Sequence, residues 1–308
     1  MVVAATGFFD GVHTGHRKVL EQLCALAHSE NKKSAVITFW PHPRSVLQQD
    51  AYALRLLTTL EEKKALIKGV GVNKVIVIPF TKEFSNLSTA DFLKEYLAEK
   101  YEVSDLIIGY DHRLGHDTNL GQDEMIQMAS LAGIKTVKVD EYLIGGKVIS
   151  STKIRNLLGE GYIKEANDYL GYNYSISGVI VAGEKIGRKL GFPTANMQLY
   201  NPLKMVPGRG VYAVGVEVLG SSYTGICNIG IRPTVSNDNK ISIETHILDF
   251  DEDIYGLDMT VRFLYKIREE QKFPSREDLV EQLERDREFA LKYSGHYLKG
   301  GNIVSSLL

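Results

Sequence analysis

Short apolar runs punctuate the first half of the chain at Val2–Thr6, Ala35–Phe39, Lys74–Pro79, Asp105–Gly109 and Ile134–Val139. Each has the length of a buried strand, and the intervals carry helical periodicity. Val19, Leu20, Leu23, Cys24 and Ala27 recur at i, i+3, i+4 spacing, which predicts an amphipathic helix from about His16. Thr59-Leu-Glu-Glu62 and Ser88-Thr-Ala-Asp91 place a hydroxyl three residues before an acid, the spacing of a capping box. Alternating strands and helices predict a doubly wound α/β domain with a parallel sheet covered on both faces.

Near Gly171 the pattern changes. Ser175–Ala182, Val211–Leu219, Tyr223–Ile229, Ile241–Phe250 and Met259–Lys266 read as strands, with hairpin-length connections at 219–222 and 236–240. Five or six strands without intervening helices predict a small antiparallel β-barrel. One helix follows, opened by Ser275-Arg-Glu-Asp278 and carrying Leu279, Leu283 and Ala290 on one face. The expected boundary lies at 169–174, giving domains 1–170 and 174–296 and a frayed tail over 297–308.

Composition agrees with two globular domains. The 308 residues are 44% hydrophobic and 24% charged, with a formal net charge of −2. No global positive field recruits nucleic acid or anionic lipid, so any phosphate must be gripped locally. No apolar run approaches a bilayer span, and the opening residues lack a charged leader. Only Cys24 and Cys227 are present, in unlike contexts. The expectation is a soluble, cytoplasmic protein with small-molecule partners, no nucleic-acid or membrane partner, and an open oligomeric state.

Candidate chemistry begins at Thr6-Gly-Phe-Phe-Asp-Gly-Val-His-Thr-Gly-His16, between the first strand and the first helix. Free N–H groups and the macrodipole favour a phosphate at such a helix start. Gly7, Gly11 and Gly15 let the backbone turn and approach a ligand. His13 and His16 can then hydrogen-bond phosphates and offset developing charge. The spacing alone also suits a metal pair or two surface histidines, but no cysteine or clearly spaced third ligand accompanies it.

Trp40-Pro-His-Pro43, Gly109-Tyr-Asp-His-Arg-Leu-Gly115 and Ser150-Ser-Thr-Lys-Ile-Arg155 follow other strands of the sheet. The carboxyl ends of parallel strands are where ligands bind. Ser151 and Thr152 open a helix whose first turn holds Lys153 and Arg155, cations that a bound polyphosphate would reconcile with the dipole. Pro-His-Pro reads equally as a turn.

The runs Gly7–His16, Gly109–Gly115 and Ser150–Arg155 resemble the FMN adenylyltransferase half of bacterial bifunctional riboflavin kinase/FAD synthetases. That resemblance implies AMP transfer from ATP to FMN, giving FAD and pyrophosphate. It implies catalytic roles for His13 and His16, and ATP or phosphate binding at Gly7, Phe8, Gly15, Ser151, Thr152 and Arg155. It places Asp111 and Arg113 beside the flavin. Phe8 stands where many members carry Asn, and His112 and Leu114 replace two phenylalanines usual in the flavin loop.

The second informative run is Gly183-Glu-Lys-Ile-Gly-Arg-Lys-Leu-Gly-Phe-Pro-Thr-Ala-Asn196. Its glycines and cations make a flexible basic loop that is not a Walker A sequence. Thr194 and Asn196 offer hard oxygens suited to a Mg²⁺ that keeps waters and bridges ATP phosphates. In Ile241–Phe250, alternation sets Glu244 and His246 on the face opposite Ile241, Ile243, Thr245 and Ile247. Glu244 can act as general base for a hydroxyl attacking a γ-phosphate, or be an ordinary surface glutamate.

Gly191–Asn196, Asn228–Thr234, Glu244–Phe250 and Asp253–Gly256 are together similar to the riboflavin kinase module, a six-stranded Greek-key barrel. The resemblance assigns Glu244 as base and Thr194 and Asn196 as Mg²⁺-ATP ligands. Gly183, Lys185, Lys189 and Gly191 become the nucleotide loop, and flavins become substrate and product. Two rivals are a kinase with a weak or inactive first domain and a flavin- or nucleotide-binding regulator on the same scaffold. His13, His16, Thr194, Asn196 and Glu244 are all present, which favours the bifunctional enzyme.

Overall fold

The computed structural model describes residues 1–47, 54–109, 121–183, 187, 191–232 and 240–299. Contacts divide it into two compact units, the first Met1–Ser151 and the second beginning at Thr152. In the first unit the five apolar runs become β1 (Val2–Thr6), β2 (Lys33–Trp40), β3 (Lys74–Pro79), β4 (Val103–Ile108) and β5 (Lys135–Lys138). They form one parallel sheet in the order β3-β2-β1-β4-β5. Val3, Ala4, Ala5, Ile37, Leu106 and Ile107 are buried, as strands covered on both faces require.

The crossovers are helical: α1 (Thr14–Ser29), α2 (Leu60–Gly69), a π-helical stretch Phe92–Lys100, and α3 (Gln122–Leu131). α1 buries Leu20, Leu23 and Ala27; each leucine contributes roughly 2 kcal/mol by leaving water. α2 has the full capping box expected of Thr59 and Glu62. Strand order reverses between β1 and β4, so the crevice at their carboxyl ends is the sheet's ligand position. A short hairpin, β6 (Leu143–Ile144) and β7 (Lys147–Val148), was not predicted. Gly145 and Gly146 both have positive φ there, as a two-residue primed turn demands.

The second unit opens with α4 (Ser151–Glu160), apart from Ser151 itself, and α5 (Ile163–Leu170). The sequence reading assigns these helices to the first domain, but they pack with the barrel unit. The Asn167 amide donates to Phe263 O at 2.9 Å, and its oxygen accepts from Tyr174 N at 2.8 Å.

β8 (Ser175–Val181), β9 (Ala195–Leu199), β10 (Gly210–Val218), β11 (Ser221–Arg232), β12 (Lys240–Ile247) and β13 (Asp258–Arg268) close an antiparallel barrel in the order β10-β11-β12-β9-β8-β13. β9 is the strand that periodicity missed. β12 stops at Ile247, before the predicted end, and Asp249 (φ 55°) turns the chain out of the sheet.

α6 (Arg276–Lys299) covers β10, β11 and β13 and runs past the expected tail boundary at 296. Leu279 and Leu283 are only half-buried. The buried anchors are Asp286, Ala290 and Ser294, spaced one turn apart. Asp286, fully buried, receives the Arg268 guanidinium at 2.8–3.1 Å. Asp286→Ala would leave that cation without its carboxylate and should lower stability by about 3 kcal/mol. Denaturant unfolding of the full chain measures it.

Candidate active sites

The loop after β1 is held in a strained shape by one carboxylate. Asp10 is buried and accepts from Leu57 N, Thr58 N and Thr58 Oγ1, each at 3.0 Å. Thr58 Oγ1 in turn accepts from Gly11 N at 3.0 Å. Between these ties Phe9 (φ 49°) and Val12 (φ 37°) take left-handed backbone. A β-branched residue there is costly, and such strain clusters at functional sites.

This loop delivers His13 to the N-cap of α1, which starts at Thr14, two residues before the predicted start. His13 Nδ1 accepts from His16 N at 3.3 Å, and the two imidazoles stack at 3.6 Å with 16° between planes. A β-carbon at Gly15 would fall 3.3 Å from the His13 ring, so the glycine admits the stack. Phe9 presents its edge to His16 at 5.2 Å. His16 Nδ1 is buried and makes no hydrogen bond. Burial first, then the neighbouring His13 and Lys63 charges, hold the His16 pKa well below the ordinary imidazole value. His16 is therefore neutral at pH 7 and can present one N–H to an anion.

The structure brings Gly7, Phe8 and His13 of the loop together with Gly15 and His16 of the first turn of α1. Phe8 packs on Phe39 and His42, at 5.3 and 5.1 Å between centroids. Ser151 Oγ donates to Asp10 O at 2.9 Å, joining the serine to the same loop. Thr152 and Arg155 lie in the first turn of α4, within the second unit. Asp111 and Arg113, with His112 and Leu114, lie outside the described residues. Asp10 and Thr58 were missed by the sequence reading because their partners are distant in the chain. An acid between glycines in a buried loop is the signal that could have found Asp10.

In the barrel unit, Glu244 of β12 pairs in register with Asn196 of β9 on one side and Asn228 of β11 on the other. Directly opposed residues project to one face, so the three side chains share it. Asn196 is 8% exposed. A β-carbon at Gly183 would fall 2.2 Å from the Asn196 amide, so only glycine lets the loop begin there. Gly187 similarly lies against Phe192 O and accepts from Phe192 N at 2.9 Å. Gly191 takes a φ of 84°; Lys185 and Lys189 lie outside the described residues.

Thr194 lines a cavity of about 210 Å³. Ile180, Ala195 and Ile247 form its apolar wall, and residues 251–255 border it. His246 and Pro193 O are 2.8 Å apart, which fixes the segment before Thr194. The cavity's second wall was not legible as such, because it is the part of Ile241–Phe250 and beyond that leaves the strand. Among the described residues no group of three or more His, Cys, Asp or Glu side chains could hold a metal.

The described residues thus set a stacked histidine pair at the crevice of a parallel sheet and a carboxylate opposite two asparagines on a closed barrel. Residues 1–153 match the FAD synthetase family, and residues 170–294 match the riboflavin kinase family. The bifunctional riboflavin kinase/FMN adenylyltransferase of Listeria monocytogenes is 38% identical over 93% of this chain and 90% of its own length. That of Bacillus subtilis is 37% identical over 96% and 94%, and that of Escherichia coli K12 is 36% identical over 95% and 93%. The chain belongs to the bifunctional riboflavin kinase/FMN adenylyltransferase family.

A crystal structure described as a macrolide-efflux protein from Streptococcus pneumoniae has the same fold, with a TM-score of 0.88 and 28% identity over 95% of this chain and 94% of that one. Its description names a different activity. Here no helix among the described residues is long and apolar enough to cross a membrane.

Proposed function

We propose that the chain makes FMN and FAD in sequence, at two sites with different demands. At the barrel, the riboflavin hydroxyl attacks the γ-phosphorus of ATP, its proton passes to the Glu244 carboxylate, and ADP leaves. At the α/β unit, an FMN phosphate oxygen attacks the α-phosphorus of ATP and pyrophosphate leaves. A phosphate nucleophile is already ionised, so the second reaction needs charge stabilisation rather than a base. The observation that carries this reading is the His13–His16 stack at the N-terminus of α1, at the carboxyl edge of the parallel sheet.

Ser151, Thr152 and Arg155 are assigned to the phosphates of the AMP-transfer reaction, and Asp111 and Arg113 to its flavin. In the kinase site, Gly183, Lys185, Lys189 and Gly191 are assigned to the ATP phosphates, and the apolar part of the Thr194 cavity to its base. Thr194 and Asn196 would hold a Mg²⁺ ion: both offer neutral hard oxygens, and Thr194 lines the cavity. Magnesium would supply charge neutralisation on the transferred phosphoryl group. Cys24 and Cys227 are free thiols, in keeping with a reducing cytoplasm.

Incubation of purified protein with riboflavin and Mg-ATP tests the sequence of reactions. FMN should accumulate first and FAD later; FMN as sole product would sink the assignment of the first site.

A further inference from the structure

Lys63 occupies a position that surface lysines do not. It lies in α2 on the stripe buried with Leu66 and Ile67, and is 3% exposed. Among the described residues its Nζ makes no hydrogen bond and no ion pair. The contact it has is the face of Trp40, 5.8 Å from ammonium to ring centroid. Burying an ammonium this way is expensive unless something else compensates it. Burial lowers the Lys63 pKa and Asp10 opposes that only in part, its carboxylate oxygens already receiving the three donors of Leu57 and Thr58.

The surroundings say what compensates it. Asp10 ties residues 57 and 58 to the loop that carries His13, and Lys63 follows one helical turn after the Thr59 cap. Trp40 ends β2, next to β1 in the sheet, at the carboxyl edge where the crevice opens. In the same place His16 Nδ1 is buried without a hydrogen bond. The Lys63 charge adds, after burial and His13, to the lowering of the His16 pKa, so the two groups share one electrostatic environment. A buried ammonium over Trp40, on the helix tied through Asp10 to the loop of the stacked histidines, suits a strongly charged anion in the crevice rather than a metal.

We infer that Lys63 is a further substrate-contacting residue of AMP transfer, its ammonium neutralising the ATP triphosphate that His13 and His16 hold. The inference rests on AMP transfer taking place at those histidines. The α-phosphorus gains a bond to the FMN phosphate oxygen and loses its bond to the β-phosphate oxygen, which departs with the electron pair as pyrophosphate. No proton moves, so Lys63 acts by charge alone.

Trp40 is the chain's single tryptophan, so its emission reports on this site and not on the kinase site. Lys63→Met keeps the length and apolar stem of the side chain and removes the charge. With ATP as titrant, Trp40 emission should reveal at least a tenfold loss of affinity, and kcat/KM for FAD formation from FMN should fall about a hundredfold. The midpoint of unfolding followed at Trp40 should stay or rise, because an uncompensated buried charge is gone. Retention of kcat/KM within about threefold of the parent, or a midpoint that falls with activity, overturns the inference and assigns Lys63 to the fold. His16→Ala, assayed in parallel, separates the two failures. FAD formation surviving in His16→Ala removes the underlying reading, whereas an inactive His16→Ala beside an active Lys63→Met removes only the role of Lys63.

Discussion

His16→Ala should abolish FAD formation from FMN and leave the phosphorylation of riboflavin intact. The imidazole lies at the first turn of α1, stacked on His13, with its pKa lowered so that it meets the substrate neutral. Alanine there removes a preorganised donor from a buried site, which costs about 10²–10³ in rate. The fold should survive, since alanine favours helices and the loop is held by Asp10 rather than by His16. Supplying FMN with Mg-ATP and following FAD isolates the step; supplying riboflavin isolates the other. Loss of both activities would count against independent sites.

Glu244→Gln should do the reverse. Glutamine preserves the shape of the side chain between Asn196 and Asn228 but cannot take the proton of the riboflavin hydroxyl. Removing a general base lowers the rate by about 10²–10⁴. FAD formation from supplied FMN should be unchanged. An initial rate of FMN formation within a few-fold of the parent would mean that the carboxylate is not the base.

Much of this architecture was legible in the sequence because burial writes periodicity directly. β1 and β3 have the predicted ends, their runs being continuous and apolar. β9 was passed over although Ala195, Met197 and Leu199 alternate with Asn196 and Gln198, because these five residues run straight on from the glycine-rich basic segment and read as its continuation. The two buried polar residues beside the histidines escaped for another reason. Asp10 is explained by Leu57 and Thr58, and Lys63 by Trp40, partners brought near by the sheet rather than by the sequence. Lys63 did leave a trace, since it shares the apolar stripe of α2 with Leu66 and Ile67. For α6 the pattern named leucines, while the buried contacts are made by Asp286, Ala290 and Ser294. A short side chain with one good partner can anchor a helix that apolar counting assigns to larger residues.

The helix Ser151–Glu160 bears on how the protein could be cut. Its first residue binds the Asp10 carbonyl, while Leu158 O accepts from Gly208 N at 2.8 Å, ahead of β10. A β-carbon at Gly208 would fall 2.2 Å from Gly159 O, so that contact leaves no slack. Severing the chain at residue 171 takes Leu158 and the Asn167 amide from the barrel. A kinase fragment trimmed to the barrel strands alone would therefore lose packing that the unit makes within itself.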